Sequence, residues 1–417
     1  MTIPKLIEYC FRHEYGRLVA SLSRRIGIQH LEIVEDSVQS ALMAGLESWT
    51  SKGLPDNPSA WLYKVASNRL MGELRQQSGR ERILIQHTED LISALEIKPN
   101  YFLSTELQDD FLRMLFVCCN SVVPIESQLV FALKSLCGFS IREIALRLFI
   151  SEGNVYKRFS RARNYLKEFP LDSWDLDHQE YASRLPSVNK ILYLMFTEGY
   201  LSVNHELSIR QELCAEAIRL ASILANNNVG QIPETFALLA LMNFHMARMT
   251  ARHNSSAGLI LLEQQDRLLW DQRKIQAGLV WLEKSSNGDN FSRYHAEAGI
   301  AAEHCLAKSF QQTRWDRIVE NYLLLEQISP SIIHTLNRAV AVAEWKYPAA
   351  GLAVLQGLEP PDRFTSSFLW HAVLADLHRR SGDVNIARGY HNEASKLAPT
   401  PAIKELLEQR FKKGAAD

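Results

Sequence analysis

Residues 139–168, FSIREIALRLFISEGNVYKRFSRARNYLKE, decide what kind of protein this is. Apolar residues recur there at three- and four-residue steps, twice over. Ile141, Ile144, Ala145 and Leu148 line one face of a first short helix, and Val155, Phe159, Ala162 and Leu166 line one face of a second. Phe149 to Gly153 form the turn between them, Ser151 is placed to cap the second helix, and Ala145 is small enough to permit a close helix crossing. Two short helices joined in this way make a helix-turn-helix. Opposite its apolar face the second helix carries Lys157, Arg158, Arg161, Arg163 and Lys167, with no acidic side chain from Gly153 through Lys167. Such a helix suits the DNA major groove: Glu152, Asn154 and Tyr156 of its first turn face base edges, and the later cations hold phosphates. A solvated basic face would explain the charge alone. The coincidence of turn, cap, small residue and one-signed face favours DNA.

Around this motif the chain is nearly neutral, with 46 basic and 47 acidic side chains in 417 residues and a formal net charge of −1. No global field can hold a polyanion, so any nucleic-acid contact must come from local surfaces such as this helix. The 47% hydrophobic content excludes wholesale disorder, and the length suits two to four domains. Cys10, Cys118, Cys119, Cys137, Cys214 and Cys305 include no zinc-ligand spacing. Charges interrupt the N-terminal apolar stretches, and no run of about 18 apolar residues exists. The expectation is a soluble, cytoplasmic protein without cofactor, metal or membrane attachment.

Strict alternation of apolar and polar residues is hard to find, so the fold class is expected to be all-α. A first block, 1–85, holds helical patterns over Leu6–Ile26, Glu32–Trp49 and Ser59–Gln76. The turn-rich SKGLPDNP between the last two offers Asn57 or Ser59 as a cap. Residues 86–105 read as a tether, 106–170 as the block containing the helix-turn-helix, and 171–187 as a second linker. The remainder, 188–417, is helical throughout. Within it, Ala375, Ala387, Ala394 and Pro399 reproduce tetratricopeptide-repeat spacing, with Ala341 and Ala353 in the same register one repeat earlier. An unrelated helical bundle is the alternative.

The stretch 139–168 resembles region four of a bacterial sigma factor. The pattern E-I-A-x-x-L-x-I-S-x-G-x-V followed by R-x-x-R-A-R-x-x-L is met from Glu143 to Leu166. Departures are Phe149 for the usual Gly, Asn154 for Thr, and Tyr156-Lys157 for Lys-Ser. In the first block, IVEDSVQSALMAGLESW and NPSAWLYKVASNRLMGELRQQSGRE resemble region two of the extracytoplasmic-function class. That resemblance implies that Glu35, Asp36, Gln39 and Leu42 dock on core RNA polymerase at the β′ clamp helices, with the β flap as a further contact. It also implies that Trp61, Lys64, Asn68, Arg69 and Arg75 face the downstream promoter element during strand opening. Departures here are Ser40 for an acidic residue, Leu42 for Phe, and Gly72 for Asp. The stretches DDFLRMLFVCCNSVVP, LYLMFTEGY, LCAEAIRLA, LLEQQDRLLWD and LNRAVAVAE extend the resemblance to the subgroup with a long tetratricopeptide-like extension.

The resemblance implies a non-enzymatic transcription initiation factor with promoter DNA as partner; the C-terminal extension, close to both DNA-binding blocks, is expected to inhibit them in cis or to contact the polymerase, with a regulatory protein or ligand as its further partner. No P-loop, nucleophile motif or paired-carboxylate metal motif argues otherwise. Two readings compete: a polymerase-independent helix-turn-helix regulator, and an interaction protein whose basic helix is merely solvated. Glu263, Gln265, Asp266, Arg267 and Trp270 form a further polar cluster, for which a Glu263–Arg267 helix-surface ion pair is the ordinary explanation. Cys118 and Cys119 are expected to be core residues, on a helix too apolar for an exposed thiol pair, and not a redox sensor, because neighbouring cysteines on a helix diverge and do not easily bridge.

Overall fold

The computed structural model describes residues 3–80, 104–148, 150–168, 176–201, 207–252, 260–358 and 367–413. Among them the regular structure is helical, with no strand, and it divides into two compact units, Met1–Gly230 and Gln231–Asp417. Most of the tether expected at 86–105, Phe149 in the turn, and residues 171–175 of the second linker lie outside the described residues.

The first unit begins with α1 (Ile3–Ile26), α2 (Leu31–Lys52) and α3 (Pro58–Arg80). Gly27 and Gly53, at φ 93° and 83°, end the first two helices in a backbone conformation that side chains disfavour. Asn57 accepts a bond from the Ala60 amide at 3.0 Å, so of the two expected caps it is Asn57 that starts α3. Leu18, Leu22, Leu31, Val34, Val38, Leu62, Ala66 and Leu70 are sealed between the three helices. Then come α4 (Ser104–Cys118), α5 (Ile125–Phe131), a π-helical turn (Ala132–Leu136), α6 (Ile141–Leu148) and α7 (Glu152–Lys167).

Two further helices complete this unit, α8 (His178–Leu201) and α9 (Leu207–Ala225). The compact unit therefore runs past the expected linker at 171–187 and closes only after Gly230. The reason is packing of α8 and α9 on the preceding block. Tyr181 meets Phe116 edge-on with centroids 4.9 Å apart, the Arg219 guanidinium lies 5.5 Å from the Phe111 ring, and buried Arg147 pairs with Glu212 at 3.2 Å. Cys118, the last residue of α4, and Cys119 in the turn after it are buried, and burial pushes the Cys119 thiol up to about 12.

In the second unit α10 (Pro233–Ala247) is followed, among the described residues, by three short 3-10 turns, and then by α11 (Gln272–Ser285), α12 (Arg293–Leu306), α13 (Trp315–Ile328), α14 (Ile332–Trp345) and α15 (Pro348–Leu355). It ends with α16 (Phe368–Arg380), α17 (Val384–Lys396) and α18 (Pro401–Lys413). Apolar clusters form locally along the chain: one joins α12, α13 and α14 through Ile300, Ile318, Leu325 and Ala341, and the next joins α14, α15 and α16 through Leu336, Leu355, Trp370 and Leu377. Ala341, Ala375, Ala387 and Ala394 are buried, whereas Ala353 faces solvent. Among the described residues no helix is long and apolar enough to cross a membrane.

Candidate nucleic-acid interface

Helix α6 starts with reciprocal capping: the Ser140 amide donates to Glu143 at 2.8 Å, and the Glu143 amide to the Ser140 hydroxyl at 3.2 Å. Helix α7 starts at Ser151, whose extended backbone lets its hydroxyl accept a 3.2 Å bond from the Asn154 amide. Val155, Phe159, Ala162 and Leu166 are buried, and the Phe159 ring stacks 5.7 Å from that of Phe131. This inner face fixes the rotation of α7. Glu152, Asn154, Tyr156, Lys157 and Arg161 are consequently exposed, and Arg158 is half-buried. Among the described residues Lys157, Arg158 and Arg161 have no ion pair, which leaves their charge available to phosphates. Arg163 differs from them, being paired with Glu32 of α2 at 2.8 Å.

A second basic surface lies on α3. Lys64, Asn68, Arg69 and Arg75 are all exposed, because Leu62, Ala66, Leu70 and Leu74 occupy the opposite face. Trp61 is half-buried and meets Trp49 edge-on at 5.5 Å, so its position is fixed by an aromatic neighbour rather than by solvent. Gly72 sits on the exposed side, and a Cβ there would meet nothing within 4 Å. No packing requirement accounts for the glycine.

The four residues expected to dock on polymerase divide into two pairs. Asp36 and Gln39 are exposed and line an open depression with Ser40, Met43, Ala44, Glu47 and Arg69. Leu42 is a core residue, one turn along α2 from buried Val38. Glu35 is also buried. Its carboxylate accepts a bond from the Lys134 ammonium at 3.0 Å and from the Ser135 hydroxyl at 2.8 Å, both on the π-helical turn. Burial, followed by the nearby Glu35 charge, pushes the Tyr15 phenol well above its usual range.

Lys134 and Ser135 had a signal in the sequence: they interrupt an otherwise apolar run from Leu129 to Cys137. A half-buried lysine and a buried serine in such a run need partners, but the sequence does not say which. The polar cluster at 263–270 also differs from its expected form. This segment is two 3-10 turns, not a helix, so Glu263 and Arg267 are not stacked one turn apart. Asp266 caps the second turn by accepting from the Leu268 amide, and Arg267 donates to the carbonyls of His304 and Ala307 at 2.6 and 2.7 Å. Arg267 thereby supplies donors to the C-terminal end of α12. Its guanidinium and that of Arg248 lie 4.5 and 5.1 Å from the Trp270 ring. Beside this loop, Leu261, Glu263, His304, Trp315, Tyr322 and Asn337 line a cavity of about 230 Å³. Burial, with Arg248 and Arg267 close by, pulls the His304 imidazole down to about 3. Among the described residues no cluster of His, Cys, Asp and Glu could hold a metal ion.

The family models for sigma-70 region 2 and sigma-70 region 4 match residues 11–80 and 114–166. A family of unknown function (DUF6596) matches residues 184–286, a span that crosses the boundary between the two units. An uncharacterised protein of Rhizobium meliloti (strain 1021) is 33% identical over 393 residues, covering 93% of this chain and 92% of that protein. No solved structure matches the chain.

Proposed function

The chain belongs to the sigma-70 family, and from that premise we propose that it is an initiation factor of the extracytoplasmic-function group, regulated through its C-terminal unit. The observation that carries this reading is the presence, in one compact unit, of two exposed cationic helix faces suited to two promoter elements. One is the Lys157, Arg158 and Arg161 face of α7; the other is the Lys64, Asn68, Arg69 and Arg75 face of α3.

In this reading the first turn of α7 reads upstream base edges through Glu152, Asn154 and Tyr156, while its cations grip phosphates. The α3 face, with Trp61 at its start, holds the downstream element as the strands separate. Asp36 and Gln39 present the accessible part of the core-polymerase surface on α2. Phosphodiester chemistry belongs to the polymerase, and this chain supplies position and specificity. Successive helix pairs with buried alanines support a tetratricopeptide-like second unit, and the aromatic cavity beside residues 261–263 supports a ligand or partner there as its input.

Run-off transcription with purified core polymerase and the full chain tests the reading. Initiation from specific promoters that depends on this protein, and that Arg161→Glu abolishes, is the expected result. Promoter binding without any effect on initiation would establish a polymerase-independent regulator instead. For the C-terminal unit the comparison is between the full chain and a chain ending after Gly230, where the first unit closes. A change in activity of either sign supports regulation, and an unchanged activity defeats it.

A further inference from the structure

Segments far apart in sequence build the cavity of the second unit. His304 comes from α12, Trp315 and Tyr322 from α13, Glu344 from α14 and Arg410 from α18, while Glu263 stands in the 3-10 turn Leu262–Gln264. The rings of His304, Phe310 and Trp315 make a corner. Those of His304 and Phe310 meet Trp315 at 74° and 65°, with centroids 5.4 and 5.1 Å away, so neither lies parallel to the indole. Tyr322 adds a further ring, bonded to Asn337. Burial, then the nearby Glu297 charge, pushes its phenol up, so it stays protonated.

The charges around these rings sort by partner. Glu344 is held by Arg380, and Arg410 by buried Asp376 at 3.1 Å, so each brings its own counter-ion. Burial, then Arg248 and Arg267, keep the His304 imidazole neutral. Glu263 is exposed and, among the described residues, has no ion pair. The cavity therefore offers a guest aromatic surface and a carboxylate without a counter-charge. An anion would be repelled by Glu263, and an uncharged apolar guest would leave it unused. A cation gains from both, since it is attracted by ring faces, Trp most strongly, and by the carboxylate. At about 230 Å³ the cavity lies below the roughly 300–1,000 Å³ usual for drug-sized ligands, which limits the guest to a small solute.

We propose that this cavity binds a small organic cation with an alkylammonium head, its charge toward Glu263 and its alkyl groups against Trp315 and Tyr322. The inference rests on the reading of this cavity as the input of the C-terminal unit, and names the ligand class of that input. An alkylammonium head is rounded and suits rings that meet at steep angles, whereas a flat guanidinium prefers to stack along one ring face. One guest touches α12, α13, α14 and α18 together, so occupancy favours the arrangement of these helices that encloses it.

Isothermal titration calorimetry on the full chain tests this, with choline and n-butylammonium as probes and with dimethylbutanol and n-butanol as their uncharged counterparts. At least one cation is expected to bind about tenfold or more tightly than its counterpart and than methylguanidinium, and to slow amide hydrogen exchange in α13. Glu263→Gln, at an exposed position, is expected to weaken the cation several-fold and to leave the uncharged counterpart unchanged, a split that a merely structural role would not produce. Trp315→Leu is expected to abolish binding, and Glu263→Gln serves if that variant fails to fold by circular dichroism. No binding by either cation, equal affinity for cation and counterpart, tighter binding of methylguanidinium, or affinity untouched by Glu263→Gln overturns the site. Run-off transcription with and without the cation is read separately. A bound cation that leaves initiation unchanged keeps the site and removes its role as input, whereas failure of binding removes the site and leaves the initiation role to its own test.

Discussion

Helices α2 and α7 are both amphipathic, and both carry residues expected to meet a partner, yet the fold treats them in opposite ways. On α7 the apolar stripe Val155, Phe159, Ala162 and Leu166 faces inward, and most of the polar residues chosen from the sequence stand in solvent. On α2 two of the four chosen residues, Glu35 and Leu42, are buried, and only Asp36 and Gln39 remain on the surface. The difference comes from what surrounds each helix. Helix α7 packs on one side, whereas α2 packs against α1 and α3 and also receives a charged contact from the π-helical turn. Sequence periodicity reports the first kind of burial and is silent about the second.

That contrast can be broken by measurement, beginning with the largest expected effect. Phe159→Ala removes the ring stacked on Phe131 and is expected to cost about 3–5 kcal/mol of stability by urea denaturation. Loss of less than about 1 kcal/mol would mean that α7 is not anchored by its inner face. Next, Glu35→Ala is expected to cost about 3 kcal/mol, because it strands the Lys134 ammonium against α2. Asp36→Ala should leave the melting temperature unchanged and reduce polymerase affinity, and equal stability losses for the two would erase the distinction between them. Ser151→Ala, which removes the α7 cap, is expected to cost about 1 kcal/mol. Smallest in stability is Arg161→Glu, within about 0.5 kcal/mol because the side chain is exposed, while its initiation falls by at least about tenfold as a phosphate contact becomes a repulsion.

Much of the architecture was legible. The all-α class, the helix-turn-helix with Ser151 as cap, and the three helices of the first block followed from 3.6-residue periodicity and turn chemistry, because those features are local. What escaped was long-range. Nothing in residues 31–52 announces that Glu35 would be bonded about 100 positions away, and i to i+4 spacing misled at Glu263 and Arg267 because Asp266 caps a 3-10 turn there. The first unit extends to Gly230 because Tyr181, Glu212 and Arg219 find partners on earlier helices, a fact that no linker composition encodes. Ala353 kept the repeat spacing yet faces solvent, since small size alone does not select a face.

The two buried thiols at the end of α4 have a use that comes from their inertness. Burial pushes the Cys119 thiol up to about 12, which disfavours the reactive thiolate at neutral pH while the helices stay packed. Peroxide in the medium therefore meets no reactive sulfur there. An alkylating reagent must wait for α4 to separate from its neighbours, so the rate of labelling at Cys118 and Cys119 serves as an internal stopwatch for how often the first unit comes apart.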